Sequence, residues 1–207
     1  MRADTVRSAV ERSLDVALVL LAAVIVVPAA LVVAAVVAVT LGRPVLFRQV
    51  RAGRHGRPFT MLKFRSMLPV DEQRGLVTDE QRLTRVGRVL RSTSLDELPG
   101  LVNVLRGQMS LVGPRPLPLS YVDLWTPRQA RRLEVRPGVT GLAQVSGRNA
   151  LSWEDRLALD VDYVERRSLW LYLLVILRTV RVVALREGVA QAGHATSSPF
   201  RGTPRPS

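Results

Sequence analysis

Residues 16–42 read VALVLLAAVIVVPAALVVAAVVAVTLG, 27 residues without a single charge. A helix needs about 20 apolar residues to cross the hydrocarbon core of a bilayer, so this stretch is long enough. It is too long for the apolar core of a secretion signal, which is about 7–15 residues. Two features complicate a plain span. Pro28 lies near the midpoint, where it lacks an N–H and clashes with the preceding turn, so the helix should bend there. Arginine also flanks both ends: Arg2, Arg7 and Arg12 before, and Arg43, Arg48, Arg51, Arg54 and Arg57 after. Arginine-rich flanks stay on the cytoplasmic side, and satisfying that at both ends requires a segment that enters the leaflet and returns. Proline is also tolerated in spanning helices, so this pattern alone leaves both arrangements open. Just upstream, Arg12 and Asp15 are spaced to meet on one helix face, either as a surface ion pair or as a polar collar that sets the depth of entry.

The 207 residues, 47% of them hydrophobic, suffice for one domain with a real core. The sequence divides into a membrane segment (1–42), a soluble body (43–190) and a Ser/Pro/Gly/Ala-rich tail expected to be disordered (191–207). Thirty basic against 17 acidic residues give a net charge of +13. That excess suits an anionic membrane face, phosphate-bearing substrates or nucleic acid. Lys63 is the one lysine among the thirty, a hint that its position does not accept arginine. Cysteine is absent, which removes disulfides and thiolate metal sites.

The soluble body reads as mainly α with a small β-hairpin, an α+β class. Residues 44–49 (PVLFRQ) and 59–64 (FTMLKF) are β-prone and flank the turn-rich loop 51–58. Lys63 and Arg65 share one face of the second strand. His55, in the loop, reads as a solvated residue. Residues 81–91 place Leu83, Val86 and Leu90 at helical spacing. Ser94 with Glu97 reads as a capping box opening a helix that stops at Gly107. Residues 111–119, with three prolines, must form a rigid irregular loop. Residues 127–135 read as a basic helix, 136–141 as a turn, and 152–167 as an amphipathic helix. Leu169–Leu177 (LWLYLLVIL) is too short to span and suits an interfacial or a buried helix.

The chemistry centres on Asp96 and Glu97. At a helix N-terminus the free N–H groups favour ionised carboxylates and anions. Neighbouring helical side chains project about 100° apart, so the two carboxylates divide their tasks: one can attack while the other holds a cation. An acidic helix start also occurs as a purely structural feature. The company of Lys63, Arg65, Arg91, Arg115 and Arg148 favours function, because surrounding cations keep a carboxylate ionised and arginine suits bidentate phosphate contacts. The sequence has no phosphate-binding P-loop, dinucleotide fingerprint, zinc motif or serine triad.

These residues stand in ordered motifs: PVLFRQ (44–49), KFRSM (63–67), LDELP (95–99), NVLRG (103–107), MSLVGPRP (109–116), RPGVTG (136–141) and GRN (147–149). In them the chain resembles the bacterial sugar transferases, the monotopic polyprenyl-phosphate phosphoglycosyl transferases, in their small form without an extra N-terminal membrane domain. The resemblance runs from about residue 12 to 188. It implies transfer of a sugar 1-phosphate from a nucleotide diphosphate sugar, usually a UDP-sugar, to undecaprenyl phosphate, the first step of lipid-linked glycan assembly such as exopolysaccharide. By similarity Asp96 is the nucleophile that forms an aspartyl-phosphosugar intermediate. Glu97 positions Mg²⁺, and Lys63, Arg65, Arg91, Arg115 and Arg148 hold substrate phosphates. The resemblance also implies a re-entrant helix-break-helix bent at Pro28, packed on a cytoplasmic catalytic domain at the bacterial plasma membrane.

Two positions depart from the family pattern. A serine common before the bend proline is Val27, and an aspartate common near the C-terminus is Tyr172, with Asp160 and Asp162 as candidate substitutes. The expected partners are a nucleotide-sugar donor, a polyprenyl phosphate acceptor and membrane lipids. A homo-oligomer is compatible with the sequence. Nucleic acid is not expected: no recognition motif is present, and aromatic residues make up 5% of the chain. The competing readings are a catalytically impaired family member and a basic membrane-tethered binding module.

Overall fold

Helix α1 runs Arg2–Thr40, with Pro28 inside it. The computed structural model describes residues 2–147, 151–185 and 199–202. Strands β1 (Leu46–Ala52) and β2 (Pro58–Phe64) pair antiparallel, from Leu46 opposite Phe64 to Ala52 opposite Pro58. This is the expected hairpin, closed by a 3-10 turn over Arg54–Gly56. The single helix expected over 81–91 is instead α2 (Asp79–Arg82) and α3 (Arg85–Ser92). Thr84 divides them, because its hydroxyl accepts the Gly87 N–H at 3.0 Å and caps α3.

Helix α4 (Gly100–Leu105) leads to Gly107, whose φ of 74° makes the expected helix stop. Strand β3 (Ser110–Val112) lies parallel to β4 (Gly138–Thr140). The basic helix expected over 127–135 is one short α-helical turn, α5 (Pro127–Ala130), followed by a 3-10 turn over Arg131–Glu134. Helices α6 (Leu142–Val145), α7 (Trp153–Glu165) and α8 (Leu169–Leu185) complete the body.

Helix α1 touches this body on both sides of Pro28. Before it, Val19 packs with Phe59, Met61, Val104 and Met109. After it, Val33, Val37 and Leu41 pack with Phe64 and Leu90. Between the two contacts Leu21, Val24 and Ile25 are 76%, 79% and 77% exposed, an apolar surface of the kind lipid covers. Arg12 and Asp15 do not pair with each other. The Arg12 guanidinium donates to the carbonyls of Val104 and Leu105, satisfying orphan acceptors at the end of α4. Asp15 is fully buried, and its Oδ1 accepts from the Leu111 N–H (2.7 Å), the Ser110 hydroxyl (3.0 Å) and the Tyr172 hydroxyl (2.8 Å).

Tyr172 therefore has a defined task. It sits on the inner face of α8 with Val175 and Val182, while Trp170, Leu177 and Val180 are exposed on the outer face. An apolar outer face on a body-packed helix fits the membrane interface. Tyr172→Phe removes one of three donors to a buried carboxylate. We expect a loss of about 1.5–3 kcal/mol, the usual worth of a hydrogen bond to a charged group, read by denaturant unfolding in detergent. Unchanged stability would show that the hydroxyl contributes nothing to docking α1.

Candidate active site

The carboxylate pair is presented differently from the sequence expectation. Ser94 caps nothing: it adopts a left-handed backbone (φ 58°, ψ 16°) and reverses the chain after α3. Asp96 and Glu97 ride on one 3-10 turn, Leu95–Glu97, ahead of α4. The left-handed residue costs about 1–2 kcal/mol. Leu95 and Leu98, packed against the Val33–Val37–Phe64–Leu90 cluster, hold the turn in place. A single turn lacks the aligned peptides of a helix dipole, so side chains set the electrostatics here.

Glu97 is clamped: its Oε1 accepts from Lys63 Nζ at 2.7 Å and from Arg115 Nη2 at 2.9 Å. Asp96 is 7% exposed, and no described side chain hydrogen-bonds its carboxylate. Burial alone would raise the Glu97 carboxyl, but the charges of Lys63 and Arg115 prevail and hold it far below the usual range. Asp96 moves the other way. Burial first, then the neighbouring Glu97 charge, push it above the ordinary aspartate value against the pull of Lys63, Arg91 and Arg115. The expectation that ringing cations dominate fails at Asp96, since the nearest of them are spent on Glu97. The pair thus contains one carboxylate engaged by cations and one left uncommitted. Both face a cavity of about 1580 Å³ that also exposes Lys63, Arg91, Arg115 and Arg156.

Arg91 donates from Nε to Ser66 Oγ at 3.0 Å and from Nη2 to Met67 Sδ at 3.3 Å. Gly87 permits this approach: a Cβ there would lie 1.8 Å from the Ser66 carbonyl oxygen. Arg115 projects from the loop after β3. Its carbonyl accepts from Arg132 Nη2 at 2.6 Å, and Arg132 is paired with Asp160 at 2.6 Å, both nearly fully buried. The Arg132 guanidinium also stacks 4.9 Å from the Trp125 ring centroid. The β3–β4 approach that aims this loop needs glycine: a Cβ on Gly138 would lie 2.1 Å from Gly113 N.

The structure brings Lys63, Arg91, Arg115, Asp96 and Glu97 to one cavity. Arg65 also borders it, but its guanidinium is engaged by the carbonyls of Leu41, Gly42 and Arg43. It fastens the exit of α1 instead of presenting a free phosphate-binding fork. Arg148 lies outside the described residues. Of the two candidate substitutes for the missing aspartate, Asp160 is the buried partner of Arg132, and Asp162 makes a surface pair with Arg166 at 3.2 Å. Arg132 escaped the sequence reading because it looks like any other arginine in a basic run. Within the expected tail, Phe200 is buried among Ala52, Leu117, Trp125 and Leu157.

Among the described residues, no group of three or more histidine, cysteine, aspartate or glutamate side chains could cage a metal ion. Mg²⁺ typically takes one or two carboxylates plus substrate phosphates, and the adjacent Asp96 and Glu97 fit that mode.

Comparison with known proteins identifies the family. The family described as bacterial sugar transferase matches residues 6–186. The chain is 52% identical, over 82% of its length and 84% of the relative's, to the uncharacterized sugar transferase EpsL of Bacillus subtilis. It is 43% identical to a UDP-glucose:undecaprenyl-phosphate glucose-1-phosphate transferase of Caulobacter vibrioides, over 82% of this chain and 68% of that one. It is 39% identical to the undecaprenyl-phosphate galactose phosphotransferase of Salmonella typhimurium, over 71% of this chain and 35% of that longer one. A match that runs from the first turns of α1 to the end of α8, with an uncommitted aspartate beside a cation-clamped glutamate at its centre, means that the chain belongs to the bacterial sugar transferase family and is a phosphoglycosyl transferase.

Proposed function

We propose that this enzyme moves a sugar 1-phosphate from a UDP-sugar to undecaprenyl phosphate through a covalent intermediate on Asp96. The observation that carries this reading is the split between the two carboxylates, one without a hydrogen-bond partner among the described residues and one held by Lys63 and Arg115. The reactions named for the Caulobacter and Salmonella relatives support the donor and acceptor classes.

In the first step an Asp96 oxygen attacks the β-phosphorus of the donor. The bond from that phosphorus to the bridging oxygen breaks, and the nucleoside monophosphate leaves with the electron pair. In the second step a phosphate oxygen of the polyprenyl phosphate attacks the same phosphorus and frees the Asp96 carboxylate. Each step exchanges one anhydride-type bond for another, so no external energy source is needed. Lys63, Arg91 and Arg115 screen the diphosphate charge from the attacking carboxylate and stabilise charge on the transferring group. Glu97 would hold Mg²⁺, which when bound would neutralise donor phosphates.

The contacts of α1 support a re-entrant course. Val19 and Val33 both meet the body, yet along a straight helix they would lie about 21 Å apart, less than the ~30 Å hydrocarbon core. A straight spanning helix would therefore draw part of the charged body into lipid. A segment that enters and returns keeps Arg12, Arg65 and the cavity on the cytoplasmic face.

UMP release from a panel of UDP-sugars in nanodiscs containing undecaprenyl phosphate tests the reaction. No release from any donor would overturn it. The pH dependence tests the nucleophile. A carboxyl whose value is raised keeps its proton to higher pH, so kcat/KM falls on the acid side earlier than for an ordinary aspartate. Glu97, held low, stays ionised throughout. An acid limb at or below the normal aspartate range would contradict the assignment.

A further inference from the structure

We propose that Arg51 and Arg156, together with Arg115, hold the nucleotide half of the donor, with its phosphate among their guanidinium groups and its base against Tyr121 and Trp153. This rests on the UDP-sugar reading above and assigns a place to the part of the donor that is not transferred.

The cavity extends well beyond the carboxylate turn, and Arg51, Tyr121, Trp153 and Arg156 line its other end. The hairpin register gives the scale. Lys63 pairs with Phe47, and Arg51 pairs with Phe59, four residue steps along the ribbon. At ~3.4 Å per residue the two backbones are about 14 Å apart. A diphosphate carrying further groups at both ends suits a cavity of that length.

Arg115 stands between the two ends. It donates to Glu97 at 2.9 Å, and its charge reaches both Arg51 and Arg156. Burial first, then Arg115, lowers Arg51 to about 10; the same two causes lower Arg156. Arg51 donates to the neutral Gln49 side chain at 2.5 Å, and no carboxylate among the described residues forms an ion pair with it. Arg51 and Arg156 thus share a partly desolvated space with Arg115, which is itself paired with Glu97. The mutual repulsion of the guanidinium groups there favours a bound phosphate dianion.

The aromatic wall beside them makes the site selective for more than phosphate. Tyr121 and Trp153 meet edge to face with centroids 5.7 Å apart, and Arg156 lies 5.0 Å from the Trp153 ring centroid. Both rings are half-buried. Phe200 backs them, at 5.7 Å from Tyr121 and 5.4 Å from Trp153, and its N–H donates to the Tyr121 hydroxyl oxygen at 3.1 Å. Aromatic surface next to guanidinium forks is the pairing that recognises a planar base attached to phosphate.

Calorimetric titration of the detergent-solubilised full chain with UMP, together with steady-state kinetics, tests the assignment. Arg51→Gln and Arg156→Gln should each weaken UMP binding about tenfold or more and raise the donor KM by a similar factor. This is the usual scale for losing a charge-assisted contact. The KM for polyprenyl phosphate should stay unchanged, and Arg51→Lys should recover part of the loss. Unaltered UMP affinity in both glutamine variants overturns the subsite, as does a loss confined to the polyprenyl phosphate KM. If Arg51→Gln does not fold, Arg156→Gln decides alone. A wild-type chain that releases UMP from no UDP-sugar instead overturns the donor reading, and the subsite with it.

Discussion

Asp96→Asn is expected to abolish UMP release from the correct UDP-sugar, by at least about 10³-fold, since no second nucleophile can form the intermediate. The loss should fall on kcat and not on donor binding, because Lys63, Arg91 and Arg115 remain in place to hold the diphosphate. The same variant should unfold no more easily than the wild type. Among the described residues Asp96 has no hydrogen-bond partner that asparagine would forfeit, and its ionised form is disfavoured by burial and by Glu97. A carboxyl whose folded value is raised contributes stability at low pH that is lost as the pH rises through that value. At neutral pH the neutral amide is therefore the easier group to bury. Mass spectrometry of the wild type quenched in turnover should find the phosphosugar adduct on residue 96, and the variant should show none. Wild-type turnover by the variant would refute covalent catalysis at this residue.

The sequence displayed those features of fold and site that depend on local pattern. An uncharged run with a central proline is unmistakable as a lipid-seeking segment, and β-prone runs around a Gly/Pro-rich loop yielded the hairpin in its observed place. The acidic pair and its cations were visible as residue types: six of the seven site residues expected beyond Pro28 line one cavity, and the seventh, Arg148, lies outside the described residues. What escaped depends on tertiary contact. Ser94 satisfies the capping pattern, yet the burial of Leu95 and Leu98 imposes a left-handed turn instead. Arg65 follows a strand that aims Lys63 at the site, but the nearby end of α1 offers it three carbonyls. The parallel pairing of β3 with β4 involves three residues on each side, too few for any periodicity to register. Tyr172, where the family commonly has an aspartate, shows no task in the sequence alone, because its partner Asp15 lies 157 residues away.

The Arg132–Asp160 pair governs the second large effect. Asp160→Asn should destabilise the protein by about 3–5 kcal/mol, the usual consequence of leaving a buried charge without its partner. That is a large fraction of the 5–15 kcal/mol by which a typical domain is stable. Burial pushes the Asp160 carboxyl up, and the Arg132 charge opposes this, so the pair persists only because each group neutralises the other. A structural role alone would end there. Arg132, however, also donates to the carbonyl of Arg115 at 2.6 Å, which ties the pair to the residue that clamps Glu97. Replacing both members with apolar side chains, Arg132→Met with Asp160→Leu, should recover most of the stability, because a buried ion pair is often no better than well-packed hydrocarbon. It should not recover catalysis, since the Arg115 carbonyl then lacks the donor that sets its position, and the donor KM should remain elevated. Unfolding curves and donor kinetics measured on the same preparations separate the two effects. If the double variant regains both stability and donor KM, the pair serves packing alone and Arg115 finds its place without it.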